Sequence, residues 1–179
     1  MQARTEEVLA FLDTKRADLQ QVVEGVPETL RGRRPAPDRW SVAEILEHLT
    51  LVEGRIKKLL STHVAAAREA GLGAEHETAP VVPTVNVAQM ENRSEPIVAR
   101  EGSLPQGSVE ARAAWDALEA QRRGVRDFVL GADGLALSDV IIPHPRFGQL
   151  NVYQWLVFLG AHEARHTAQI RETAADLSA

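Results

Sequence analysis

The sequence predicts an all-α protein, a four-helix bundle with one long crossover connection between its second and third helices. Three observations carry that prediction. Four long stretches repeat apolar residues at a spacing of three and four. A proline-bearing connection with little helical period separates the second stretch from the third. The chain of 179 residues, 44% hydrophobic and 25% charged, matches one ordinary globular domain with a sizeable core, taken as residues 1–179.

The first helix is expected from about Arg4 to Glu24, with Val8, Phe11, Leu12, Leu19, Val22 and Val23 along one side. Gly25 and Pro27 break it. The second starts after Ser41, an N-cap that Glu44 completes as a capping box. Its apolar positions are Val42, Ile45, Leu49, Val52, Ile56 and Leu59, and it runs to about Glu69. The connection from about Leu72 to Gly107 holds Pro80, Pro83, Pro96 and Pro105. Ile97 to Ala99 could pair with another extended segment, without amounting to a sheet. The third helix is expected from about Ser108 to Leu130 with Gly131 closing it, and the fourth from about Asn151 to Ala175. The piece between them, Ala132 to Leu150, reads as irregular, with Pro143, Pro145 and Gly148.

Composition excludes several classes. The absence of cysteine rules out disulfides, thiolate zinc sites, iron–sulfur clusters and a cysteine nucleophile. A net charge of −5 gives no global field for nucleic acid or an anionic membrane. Arg31, Arg33 and Arg34 form a basic cluster without an aromatic or glycine-rich cradle, which reads as a solvated loop. The N-terminus has no signal-peptide pattern and no stretch reaches the roughly 18 uninterrupted apolar residues of a membrane span. A soluble cytoplasmic protein is the expectation.

The sharpest chemical signal is His162-Glu163-Ala164-Arg165-His166. Histidines at i and i+4 share one helix face and can meet one metal ion. Both fall within the stripe of Val152, Trp155, Leu156, Leu159 and Ile170, where an imidazole is costly without a partner. A catalytic zinc-type site takes three protein ligands and keeps a position open. His48 is the natural third, at the edge of the second helix's apolar stripe. Three neutral imidazoles suit zinc, nickel, iron(II) or copper. The plainer alternative is a set of core histidines, each satisfied by a carbonyl or carboxylate. His63 lies too far along the second helix to share the ion, and His76 sits in the long connection between glutamates. His144, between Pro143 and Pro145, would either line the mouth of the site or stiffen a turn. Trp40, Trp115 and Trp155 read as core, and Arg122, Arg123 and Arg126 as a solvated face.

Three blocks resemble the DinB-like proteins, including the YfiT-type members. They are Trp40 to Leu49 (WSVAEILEHL), His144 to Leu150 (HPRFGQL) and Trp155 to Ile170 (WLVFLGAHEARHTAQI). The resemblance implies a four-helix bundle holding a divalent metal (zinc, nickel or iron) through His48, His162 and His166, often as a homodimer. It also implies a small-molecule substrate. Relatives of that type include thiol S-transferases using bacillithiol or mycothiol, a mycothiol-dependent isomerase and metal-dependent hydrolases, so a low-molecular-weight thiol is an expected co-substrate.

Three functions compete on these residues. The first is a metal-dependent enzyme that activates water or a thiol, with Glu163 as base or as a partner of a ligand. The second is a non-enzymatic, metal-stabilised or metal-sensing helical module. The third is a zincin-type peptidase through His-Glu-x-x-His. Gln169 and Glu172 stand where a metzincin needs glycine and histidine, and too little chain follows His166 for a gluzincin's third ligand.

Overall fold

A computed structural model of the protein describes residues 1–94 and 101–178. The Ile97–Ala99 run lies outside the described residues. Four long helices dominate: α1 (Ala3–Glu24), α2 (Val42–Glu69), α4 (Ala111–Gly131) and α5 (Val152–Ser178). The connection between α2 and α4 carries a short 3-10 turn at Val82–Thr84 and one short helix, α3 (Val87–Glu91). Ahead of α5 stands a hairpin of β1 (Ile141–His144) and β2 (Gly148–Asn151), paired antiparallel with Ile142 opposite Leu150. The fold is the predicted all-α four-helix bundle, with this small hairpin added.

Local chemistry explains where the helices begin and end. Ser41 Oγ accepts from the Glu44 amide at 3.2 Å and the Glu44 carboxylate accepts from the Ser41 amide at 2.8 Å, which completes the capping box that starts α2. Gly131 does not close α4. It remains helical, Ala132 caps it, and the left-handed glycine is Gly134, with φ +87°. The hairpin escapes sequence reading because each strand buries few side chains, Ile142 on β1 and Leu150 on β2, so no alternation develops. Its turn relies on Gly148 at φ +74°. It relies also on His144, whose Nδ1 accepts from the amides of Arg146 and Phe147, both at 3.1 Å.

The interior falls into two apolar clusters. One holds Val8, Leu12, Ile56, Leu60, Val125, Val129, Leu156 and Leu159. The other holds Leu19, Val23, Ile45, Leu49, Leu118 and Ile170. Followed along the chain, α1 and α5 run from the first cluster to the second, while α2 and α4 run from the second to the first. The order is therefore up, down, down, up. Because α2 and α4 point the same way, the chain between them must travel back along the bundle, which accounts for the length of the crossover. Carboxylates pin that crossover: Glu7 accepts from the amides of Val81 and Val82, and Glu47 from those of Gln106 and Gly107.

Between the two clusters lies a layer of charge that the sequence reading missed. Arg16, Glu53, Arg122 and Glu163 contribute one side chain from each long helix, and all four are buried. Arg122, expected on a solvated face, is 8% exposed, while Arg123 and Arg126 are exposed as expected. Arg16 reaches Glu163 at 2.8 Å and Glu53 at 3.1 Å; Arg122 reaches the same two carboxylates, each at 2.8 Å. Two positive and two negative charges cancel, which makes their burial tolerable. Glu44 is also buried, held by its cap role and by Arg34.

Candidate metal centre

The centre forms where α2 meets α5. His48 projects from α2 one residue before the buried Leu49, and His162 and His166 project from successive turns of α5. The structure brings all three rings together. Their centroids are 5.4 Å apart for His48 and His162, 4.6 Å for His48 and His166, and 4.6 Å for His162 and His166. One ring nitrogen from each lies within 4.8 Å of the others. His48 and His166 are buried and His162 is partly so.

Hydrogen bonds orient two of the rings. His48 Nδ1 donates to the carbonyl oxygen of Ser103 at 2.6 Å, so the crossover fixes this imidazole. His166 Nδ1 donates to Gln169 Oε1 at 2.8 Å. Gln169 is held in turn by Arg93, which forms a bidentate pair with Glu172. A carbonyl-type oxygen can only accept, so each Nδ1 carries the proton and each Nε2 keeps its lone pair. His162 differs: its Nδ1 is enclosed and has no partner among the described residues. An enclosed nitrogen without a partner is costly.

Electrostatics keep the cluster neutral. Burial lowers the His48 pKa, with partial compensation from the Ser103 carbonyl. Burial, then repulsion from His48, Arg165 and His144, pushes His162 down to about 3. His166 lies well below its usual range because of burial and then its two neighbouring imidazoles. Three neutral imidazoles with two preset tautomers and an orphaned nitrogen fit a divalent ion of borderline softness. No Asp or Glu among the described residues joins them, so the set stays at three ligands. That is the count of a site with an open position.

Aromatic rings wall the cluster. Trp40 stacks over His166, and its centroid is 5.0 Å from that of His48. Phe158 lies 5.8 Å from His162. Trp40 thus belongs to the site as well as to the core packing expected for it. His144 packs on Phe147, Trp155 and Phe158 and organises its own turn, in keeping with the stiffening role considered for it. His63 is exposed on α2, bonded to the Leu59 carbonyl, and His76 is exposed in the crossover.

Glu163, the expected base or ligand partner, does not join the imidazoles. Its carboxylate accepts from Arg16 Nε and Nη2 and from Arg122 Nη2, and the side chain is 2% exposed. The residue following the first histidine of the pair faces the charge layer, while the histidines face α2. A peptidase reading needs that carboxylate beside the metal, and the geometry gives it no support.

The model of the DinB superfamily matches residues 12–170. The uncharacterized protein YuaE of Bacillus subtilis (strain 168) is 25% identical over 167 residues, covering 92% of this chain and 95% of its own length. The crystal structure of TT2238, a four-helix bundle protein, superposes with a TM-score of 0.61 at 18% identity, covering 94% of this chain and 98% of the other. That likeness is one of fold.

Proposed function

This chain belongs to the DinB superfamily, and from that premise we propose that it is a divalent-metal-dependent enzyme whose ion is held by His48, His162 and His166. Its substrate would be a small molecule, with water or a low-molecular-weight thiol as nucleophile, which makes it a thiol S-transferase or a hydrolase. The observation that carries the reading is the cluster itself: three neutral imidazoles from two helices meet with no carboxylate among the described residues completing the shell. A bound zinc, nickel or iron(II) would supply Lewis acidity, bringing a coordinated water or thiol toward deprotonation near neutral pH.

The chain's own groups do the remaining work. Ser103 and Gln169 hold His48 and His166 in the tautomer that presents Nε2. Trp40 and Phe158 flank the rings and limit water around them. With Glu163 committed to arginines, proton transfer falls to the substrate, to solvent or to a group outside the cluster. A homodimer in the cytoplasm is the assembly and location we propose with this reading; among the described residues no helix is long and apolar enough to cross a membrane.

Metal analysis of protein purified without added ions, followed by a screen of low-molecular-weight thiols against electrophiles, tests the proposal. Near-stoichiometric metal and thiol consumption that is lost in His162→Ala would support it. Bound metal with no reaction across the screen would favour the non-enzymatic module instead. Protein that neither carries nor takes up metal would end both readings.

A further inference from the structure

The buried charges form a closed circuit with a particular wiring. Glu53 lies on α2, five residues after His48, and Glu163 lies on α5 between His162 and His166. These are the two helices that supply the imidazoles. Arg16 and Arg122 come from the other two helices, α1 and α4, and each of them bridges both carboxylates. The guanidiniums are anchored in their own surroundings as well: Arg122 Nη1 donates to the Leu12 carbonyl at 3.0 Å, and Arg16 pairs with Glu119. Burial disfavours the Arg16 charge, yet Glu163 and Glu53 hold its pKa above the usual value. Thr167 Oγ1 donates to the Glu163 carbonyl at 2.9 Å, one turn back along α5.

Apolar contacts between helices fix their register through shape alone and have no intrinsic direction. Forked guanidinium–carboxylate contacts do have direction. We infer that Arg16 and Arg122 are positioning residues which, by clamping Glu53 to Glu163, hold α2 and α5 in the register that brings His48 to His162 and His166. The inference rests on the metal reading given above and extends it to the layer beneath the site. It also assigns a role to a costly arrangement, since apolar residues of similar volume would fill the layer without a desolvation penalty.

The test is cobalt(II) titration of the metal-free full-length chain, read by visible absorption, alongside thermal unfolding. In one variant the layer is replaced at constant charge balance: Arg16→Met, Glu53→Leu, Arg122→Met and Glu163→Leu together. The clamp predicts a cooperatively folded protein whose cobalt affinity is about 10- to 100-fold weaker, the range usual when residues that orient ligands are removed. Its saturated spectrum should also differ from that of the wild type. A folded variant with wild-type affinity and spectrum would overturn the inference. Should that variant fail to fold, Arg122→Lys decides: it keeps the charge but cannot fork across two carboxylates, and about tenfold weaker binding is expected at a temperature where it is fully folded. Wild-type affinity in Arg122→Lys would likewise overturn the clamp. Wild-type protein that binds no cobalt would remove the metal reading and the clamp with it, whereas tight wild-type binding with unaffected variants removes the clamp alone.

Discussion

Removing one member of the charge layer should destabilise the fold far more than removing an exposed ion pair. Glu163→Leu leaves Glu53 as the one buried carboxylate shared by Arg16 and Arg122; Arg16 keeps the part-exposed Glu119 as well, so Arg122 is the guanidinium left short of counter-charge. The lost group is 2% exposed and accepts four hydrogen bonds of 2.8 to 3.2 Å from the two guanidiniums, Arg16 Nε being shared by both its oxygens. Breaking a buried pair from one side costs about 3–5 kcal/mol, because the stranded charge keeps its desolvation penalty. For a domain of this size that corresponds to a melting temperature lower by about 6–20 °C. Arg112 and Asp116 provide the internal control, an i,i+4 pair with side chains 79% and 58% exposed. Asp116→Ala should cost no more than about 0.5 kcal/mol. Calorimetry and urea denaturation of both variants, without metal, measure the contrast. Equal and small effects, below about 1 kcal/mol for Glu163→Leu, would refute the claim that the layer is electrostatically closed.

Other outcomes follow from the same geometry. Trp40 sits 5.0 Å from His48, so nickel(II) or copper(II) should quench part of the tryptophan fluorescence, and Trp40→Phe should abolish most of that quenching while leaving binding intact by calorimetry. Gly160 packs against α1 so closely that an added Cβ would fall 2.6 Å from Phe11 Cε1; Gly160→Ala should therefore cost about 1–3 kcal/mol in denaturant unfolding. Stability of the metal-free protein should fall as pH drops below the usual histidine value of 6.5 toward about 3. The sign follows because the folded-state pKa is depressed: the unfolded chain binds more protons in that window, so stability is complete above 6.5 and lost on acidification. Each such histidine contributes a slope of at most about 1.4 kcal/mol per pH unit. Denaturation of the wild type and His162→Ala at several pH values should show the shallower slope in the variant.

Much of the bundle is legible because its signals are local. The stripes of α1, α2 and α5, the Ser41–Glu44 box and the Gly25–Pro27 break are each set by neighbouring residues. The histidine cluster is legible for a related reason. A pair at i,i+4 on an inward stripe demands partners, and His48 is placed to meet it. The hairpin is not legible, since four-residue strands with little buried surface leave no pattern. The orienting groups Ser103 and Gln169 are hard to find for another reason: a backbone carbonyl reached across the crossover and one amide side chain carry no motif.

The charge layer was readable in principle. Arg16 follows Leu12 by four and precedes Leu19 by three; Glu53 stands likewise between Leu49 and Ile56, and Arg122 between Leu118 and Val125. Glu163 follows Leu159 by four. Charges at that phase lie on the buried face by the same periodicity that places the leucines. Helix wheels treat a charge as a vote for solvent, and only the sum over four helices shows two positive and two negative charges at one level. The same competition decides Glu163: its position beside His162 suggests metal chemistry, while two arginines at hydrogen-bonding distance take its carboxylate elsewhere.

The most direct measurement is zinc titration by calorimetry, comparing the metal-free wild type with His48→Ala. Convergence of His48 from α2 with His162 and His166 from α5 predicts one zinc per chain in the wild type and binding weaker by orders of magnitude in a variant that still folds. Equal zinc affinity in the two proteins would contradict the account.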